Sequence, residues 1–217
     1  MDDYAVLVLK RLSKKYGAEL HTNLKHVNMT ELLVAALLSP QCTDKQVNDG
    51  TVELFKRFRT FDDYADADVA TLRRYLKGIN FYKTKAKHLR SAARMIVDRF
   101  GGKVPRTLKE LMELDGVGRK VANVVLSDGY GIDEGIAVDT HVAVTSSRLG
   151  LARSRDPYKI EVELMRKVPR RYWGMVNGLF IGLGRDVCTA RRKYCERCIL
   201  NDICPSSTVR RKAAYKH

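Results

Sequence analysis

The sequence predicts an all-α protein, and three observations carry that prediction. Apolar residues recur at three- and four-residue spacing along nearly the whole chain, strand-like alternation is almost absent, and the breaks between apolar stretches hold helix-capping residues and glycines. About ten short helices joined by tight turns account for this pattern. With 217 residues, 45% of them hydrophobic, the chain can bury one substantial core or two smaller ones without a covalent staple.

Taken in chain order, Leu89, Ala92, Ala93, Ile96 and Val97 form one helical face, with Thr84 as its expected cap and Gly101-Gly102 as its stop. Thr107 and Glu110 have capping-box spacing ahead of Leu111. A short glycine turn, Leu114 to Lys120, leads into a second helix with Val121, Val124 and Val125 on one face. Gly129 to Gly135 is the richest glycine stretch and offers a domain boundary. Asp139 suits the N-cap of a helix running through His141, Val142 and Leu149. Asp156-Pro157 supplies a cap and a first-position proline for the helix bearing Ile160, Leu164 and Val168.

Forty Lys and Arg against twenty-five Asp and Glu give a net charge of +15. The excess recurs in short clusters such as Arg191-Arg192-Lys193 and Arg210-Arg211-Lys212, and a polyanionic partner is its natural reading. No apolar run approaches the roughly 20 residues of a membrane span, and the start at Met1-Asp2-Asp3 is acidic, unlike a leader peptide. The expected setting is a reducing cytoplasm. Four of the five cysteines nevertheless lie between 188 and 204, a density that points to metal and not to disulfides.

Cys188, Cys195, Cys198 and Cys204 read C-x6-C-x2-C-x5-C. Four thiolates suit tetrahedral zinc or a four-iron cluster. Zinc sites usually pair two close knuckles, so the single knuckle between wider gaps favours iron–sulfur. The cluster would fix the basic loop Thr189 to Tyr194 at both ends and so hold Arg191, Arg192 and Lys193 against phosphates. Cys42 stands apart, as a packing residue or a neighbour of another site.

In the turn at 114–120, Gly116 and Gly118 both permit positive φ and leave the backbone bare. Amide N–H groups at the start of the following helix can then meet a phosphate. Such a contact ignores base sequence, as a protein scanning duplex DNA requires.

Four segments together carry a resemblance: Leu38 to Asp44, Leu114 to Leu126, Ala137 to Val142, and the four cysteines. The chain resembles the endonuclease III family of helix–hairpin–helix DNA glycosylases. The resemblance implies two helical domains with a DNA-binding cleft between them: residues 22–132 bearing the hairpin, and residues 1–21 with 133–217 bearing a C-terminal [4Fe-4S] cluster loop. The implied activity is that of a bifunctional DNA glycosylase and abasic-site lyase of base excision repair, which removes oxidised pyrimidines and cuts the strand by β-elimination. The implied partner is double-stranded DNA with damaged bases or abasic sites, met by a monomer in a prokaryotic, nucleoid-associated setting.

Residue by residue, Lys120 matches the family's nucleophile and Asp139 its catalytic carboxylate. Gln41 and Phe81 align with residues that fill the gap left by an extruded nucleotide, although the position of Phe81 varies in the family. Gly116, Gly118, Arg119, His141 and the basic loop complete the implied DNA contacts, His141 chiefly as support for its turn. Asp115 stands where a hairpin proline is usual, and Cys42 where a small residue is common.

The chemistry suits these residues. A lysine attacks the sugar C1′ as a neutral amine, and the first turn of a helix beside Arg119 disfavours the charged form. The resulting imine acidifies the adjacent carbon and permits loss of the 3′ phosphate, while a carboxylate assists proton removal or stabilises positive charge on the sugar. Taken singly, Lys120 reads as a solvated lysine and Asp139 as a helix cap. A DNA-binding module without catalysis, a relative acting on another base, and a zinc-binding regulator are the rival readings.

Overall fold

The computed structural model describes residues 2–17 and 22–209, so the basic cluster Arg210-Arg211-Lys212 lies outside the described residues. The architecture is all-helical, with no β-strand among the described residues beyond an isolated bridge between Cys188 and Lys193. The chain divides into two compact units, Thr22–Glu134 and Met1–His21 with Gly135–His217.

The continuous unit holds α2 (Met29–Leu38), α3 (Asp44–Arg57), α4 (Phe61–Asp66), α5 (Val69–Tyr75), α6 (Tyr82–Phe100), α7 (Leu108–Leu111) and α8 (Arg119–Val124). Every residue of α2 from Leu32 to Leu38 is buried, which marks it as the helix the others pack around. The face of α6 predicted from spacing is the buried one, with Leu89, Ala92, Ala93 and Ile96 inside and Val97 partly so. Helix α8 continues as a π-helical turn over Val125–Gly129. There Gly129 lies so close to α2 that a Cβ would stand 2.5 Å from the Met29 thioether.

The discontinuous unit is built by α1 (Asp3–Tyr16), α9 (Thr140–Arg148), α10 (Pro157–Lys167) and α11 (Trp173–Asp186). Helix α1 buries Ala5, Val8, Leu9 and Leu12, and α11 buries Val176, Leu179, Phe180 and Leu183, each set on one helical stripe and both in one core. The Tyr16 ring packs 3.2 Å from where a Cβ on Gly182 would sit, and the Tyr16 hydroxyl and Lys15 ammonium both donate to Asp186. These contacts fasten the first helix to one that lies some 170 positions later.

Two local expectations are corrected. Thr84 does not cap α6, which starts at Tyr82 behind Phe81 in the left-handed conformation with no side-chain cap bond. Thr107 caps α7 through the Glu110 N–H, but the Glu110 carboxylate accepts from the Thr107 hydroxyl at 2.7 Å and closes no box on the backbone. The complete capping box is instead Thr60 with Asp63 at α4. The caps at Asp139 and Asp156, with Pro157 in the first turn, are as expected.

Candidate functional site

The glycine turn follows from two different glycine properties. Gly116 has φ +81°, and a Cβ there would be 3.0 Å from His88, so this position needs glycine for conformation and for space. Gly118 is extended, at φ −85° and ψ 171°, and so corrects the expectation of positive φ at both. A Cβ at Gly118 would meet nothing within 4 Å. As N-cap of α8 it offers no side chain to the opening amides, which leaves that end suited to an anion. Arg119 and Lys120 are the first two residues of α8, both half-buried, with Val121 and Val124 buried beneath them.

In the same unit, two loops are tied together. Gln41 and Phe81 both have positive φ, 59° and 58°, and are the non-glycine residues with that conformation among those described. The conformation costs roughly 1–2 kcal/mol at each residue, so the surroundings must hold it. The Asn80 side-chain amide donates to the Gln41 carbonyl at 2.6 Å. Gln46 donates to Gly78 O at 2.8 Å and to Asn80 Oδ1 at 3.1 Å. Lys85 is 6% exposed, and its ammonium donates to Leu38 O at 2.7 Å, Pro40 O at 2.8 Å and the Cys42 sulfur at 3.3 Å. A cation is well placed there, because Leu38 ends α2 and the carbonyl end of a helix attracts positive charge. Phe81 itself is 63% exposed.

In the other unit, Asp139 Oδ1 accepts from Val142 N at 2.9 Å and so caps α9. The buried segment Ile136, Ala137 and Val138 leads into it. That segment is anchored by Ile136 N donating to Glu161 at 3.2 Å and by Asn177 donating to Ala137 O at 2.9 Å. His141 packs against Gly184, where a Cβ would stand 2.6 Å from its Nδ1, and its carbonyl accepts from Thr145 Oγ1 at 2.7 Å.

All four clustered cysteines line one recess, with Arg148, Leu183 and Leu200 among its other walls. Burial pushes the Cys198 and Cys204 thiols up from their ordinary range, and the neighbouring cysteines push the same way. Four thiolates so crowded need a cationic partner to exist together. Among the described residues no three His, Cys, Asp or Glu side chains are placed to hold a single metal ion.

Arg148 closes the recess, donating to Cys188 O at 3.1 Å, Cys188 Sγ at 3.3 Å, Thr189 O at 2.7 Å and Ala190 O at 3.0 Å. The loop it holds presents Arg191 and Arg192 to solvent, the latter over the Tyr194 ring. Lys193 departs from the expected outward pose. Its ammonium donates to Ser206 O at 2.7 Å and it lines the cysteine recess.

Residues 34–170 match the model of the HhH-GPD superfamily base excision DNA repair proteins. The chain is 41% identical over 202 residues to endonuclease III of Synechocystis, covering 93% of this chain and 90% of that one. It is 42% identical to endonuclease III of Bacillus subtilis over 87% of this chain and 86% of the relative. The chain belongs to the endonuclease III family. Its structure is similar to that of a trapped endonuclease III–DNA covalent intermediate, with a TM-score of 0.87, 38% identity, and coverage of 95% and 96% of the two chains. A thermostable thymine-DNA glycosylase, 18% identical with a TM-score of 0.83, shares the fold.

Beyond the family motifs, sequence reasoning missed Lys85, Asn80 and Gln46 behind the loop at 38–42, Arg148 at the recess, and the anchors Glu161 and Asn177. Lys85 carried a signal: it precedes Leu89 and Ala92 by four and seven residues, so helical phase places it on the buried face of α6. For Glu161 the same argument applies, one residue after Ile160 on α10, but with a weaker phase.

Proposed function

We propose that this endonuclease III family member acts on duplex DNA as a glycosylase and abasic-site lyase, with Lys120 as nucleophile and Asp139 as the assisting carboxylate. The observation that carries this reading is Lys120 in the first turn of α8 directly behind the bare Gly116–Gly118 turn. The similarity to a protein whose structure is of a trapped covalent intermediate with DNA supports it.

In this reading the opening amides of α8 take a phosphate, and Lys120 Nζ attacks C1′ of the damaged nucleotide. The base leaves with the electron pair of the glycosidic bond and is protonated. The attached nitrogen loses a proton, the C1′–O4′ bond breaks with its electron pair and a proton going to O4′, and a protonated imine forms; a proton is then lost from C2′, and the 3′ phosphate departs with the C3′–O electron pair. Asp139 accepts a proton or stabilises positive charge on the sugar. Gln41 and Phe81 fill the gap in the stack, and Arg119, Arg191 and Arg192 meet the backbone.

Cys188, Cys195, Cys198 and Cys204 would hold a [4Fe-4S] cluster, which supplies a fixed core to the loop that carries Arg191 and Arg192. Damaged or abasic duplex DNA as partner, oxidised pyrimidines as the lesion class, a monomeric state and a cytoplasmic, nucleoid-associated setting follow from the same reading. Among the described residues no helix is long and apolar enough to cross a membrane.

Incubation with a duplex carrying one thymine glycol tests the proposal. Base release and a strand cut at the lesion, absent from the undamaged duplex, are expected. Tight, salt-dependent binding of both duplexes with no cutting would make the chain a DNA-binding module instead.

A further inference from the structure

We infer that Asn80, backed by Gln46 and Lys85, is a positioning residue that acts through Gln41 and presets its side chain for insertion into the base stack. The inference rests on the gap-filling reading of Gln41 given above, and it assigns the work of holding that residue to side chains outside the family motifs.

Gln41 is exposed and left-handed, a conformation that a residue with a Cβ keeps only when its neighbours determine it. Among the described residues its own side chain has no hydrogen-bond partner. The backbone on both sides does. Ahead of it, Lys85 spends its three donors on Leu38 O, Pro40 O and Cys42 Sγ, a buried ammonium clamping the chain before and after Gln41. On the Gln41 carbonyl itself sits the Asn80 amide, at 2.6 Å, and Asn80 is in turn oriented by Gln46, which is fixed to Gly78 O.

The two residues that hold the Gln41 loop, Asn80 and Lys85, lie beside the second exposed left-handed residue, at the start of α6. Asn80 immediately precedes Phe81, and the Lys85 backbone N–H donates to the Phe81 carbonyl at 3.0 Å. The two residues are thereby held from one short network, so their side chains need little ordering when DNA arrives, and the gain appears as affinity for duplexes with a gap to fill. Asn80 is exposed and its loss opens no core, which lets its positioning role be separated from folding.

The test uses the full chain as purified and a duplex in which a tetrahydrofuran abasic analogue faces 2-aminopurine, whose fluorescence reports unstacking opposite the gap. Asn80→Ala, Gln41→Ala and the double variant are compared with the parent for binding, fluorescence and melting. The inference predicts that Asn80→Ala binds the tetrahydrofuran duplex about fivefold to tenfold more weakly, the effect of one lost positioning hydrogen bond. Its aminopurine signal shifts in the same sense as that of Gln41→Ala, while affinity for undamaged duplex and melting stay at parent values. In the Gln41→Ala background the same change adds less than about twofold, because its route is already gone. If Gln41→Ala weakens gap binding while Asn80→Ala does not, or if the two losses simply multiply, the inference is overturned and the gap-filling reading stands. If Gln41→Ala leaves binding and fluorescence at parent values, the gap-filling reading and the inference fall together.

Discussion

Asp139 combines a structural bond with a proposed chemical role, and one substitution separates them. Asparagine caps a helix about as well as aspartate, so Asp139→Asn keeps the acceptor for Val142 N and is expected to melt within a few degrees of the parent. Removing the charge is expected to lower the single-turnover rate by about a hundredfold or more. A variant that cut damaged DNA at the parent rate would reduce Asp139 to a cap. The two glycines of the turn separate in the opposite way. Gly116→Ala, at φ +81° and against His88, should lose about 1 kcal/mol or more in urea unfolding. Gly118→Ala, extended and in open space, should unfold like the parent yet bind duplex DNA more weakly, because its methyl stands where a phosphate would approach. At this scale the Asp139 cap and the tight turn at Gly116 were legible because each sits in a short segment of fixed chemistry. Lys85 was not, since lysines are read as solvated and only the phase of α6 reveals that this one is buried.

Helix boundaries show where local sequence decides and where tertiary context overrides it. Asp156 with Pro157, and Asp139, could be placed from residue type alone, because each carries both the acceptor and the conformational preference of a cap. The start of α6 could not: Phe81 has neither, and it opens the helix in a left-handed conformation with no side-chain cap bond. The capping box at α4 carries a pH signature. The Asp63 carboxylate accepts from the backbone N–H groups of Arg59 at 2.8 Å and Thr60 at 2.9 Å, which holds its pKa below the usual 3.8. Its contribution is therefore complete above the ordinary carboxylate pKa and fades as pH falls through the lowered folded-state value. In urea unfolding carried from about pH 5 to about pH 3, the parent should lose stability more steeply than Asp63→Asn. Equal slopes would remove Asp63 from the acid response.

The whole molecule rests on two cores of different sequence origin. The unit Thr22–Glu134 is continuous, and the buried faces of α6 and α8 within it were legible from apolar spacing. The other unit joins the first helix to the last third of the chain, and composition cannot show that α1 packs on α11, since that pairing depends on stripes about 170 residues apart and on such bonds as Lys15 to Asp186. The cysteine spacing made it legible that these four residues belong together, as they do in one recess, but not the Arg148 clamp that ties the basic loop to it. If the four cysteines hold an iron–sulfur cluster, Cys198→Ser should yield a protein that has lost its yellow-brown colour. Amide exchange should then rise across residues 188–204 while protection within Thr22–Glu134 is retained. A colourless parent, or a parent and variant with the same exchange at 188–204, would contradict that assignment.

The central claim is that Lys120 bonds covalently to the sugar, and borohydride tests it most directly. Parent protein incubated with the thymine glycol duplex and borohydride should give a protein–DNA adduct on denaturing electrophoresis, as reduction of the imine fixes the bond. Lys120→Gln, which keeps the helical position and removes the amine, should give none. An adduct that persists in Lys120→Gln would place the nucleophile elsewhere and contradict the account.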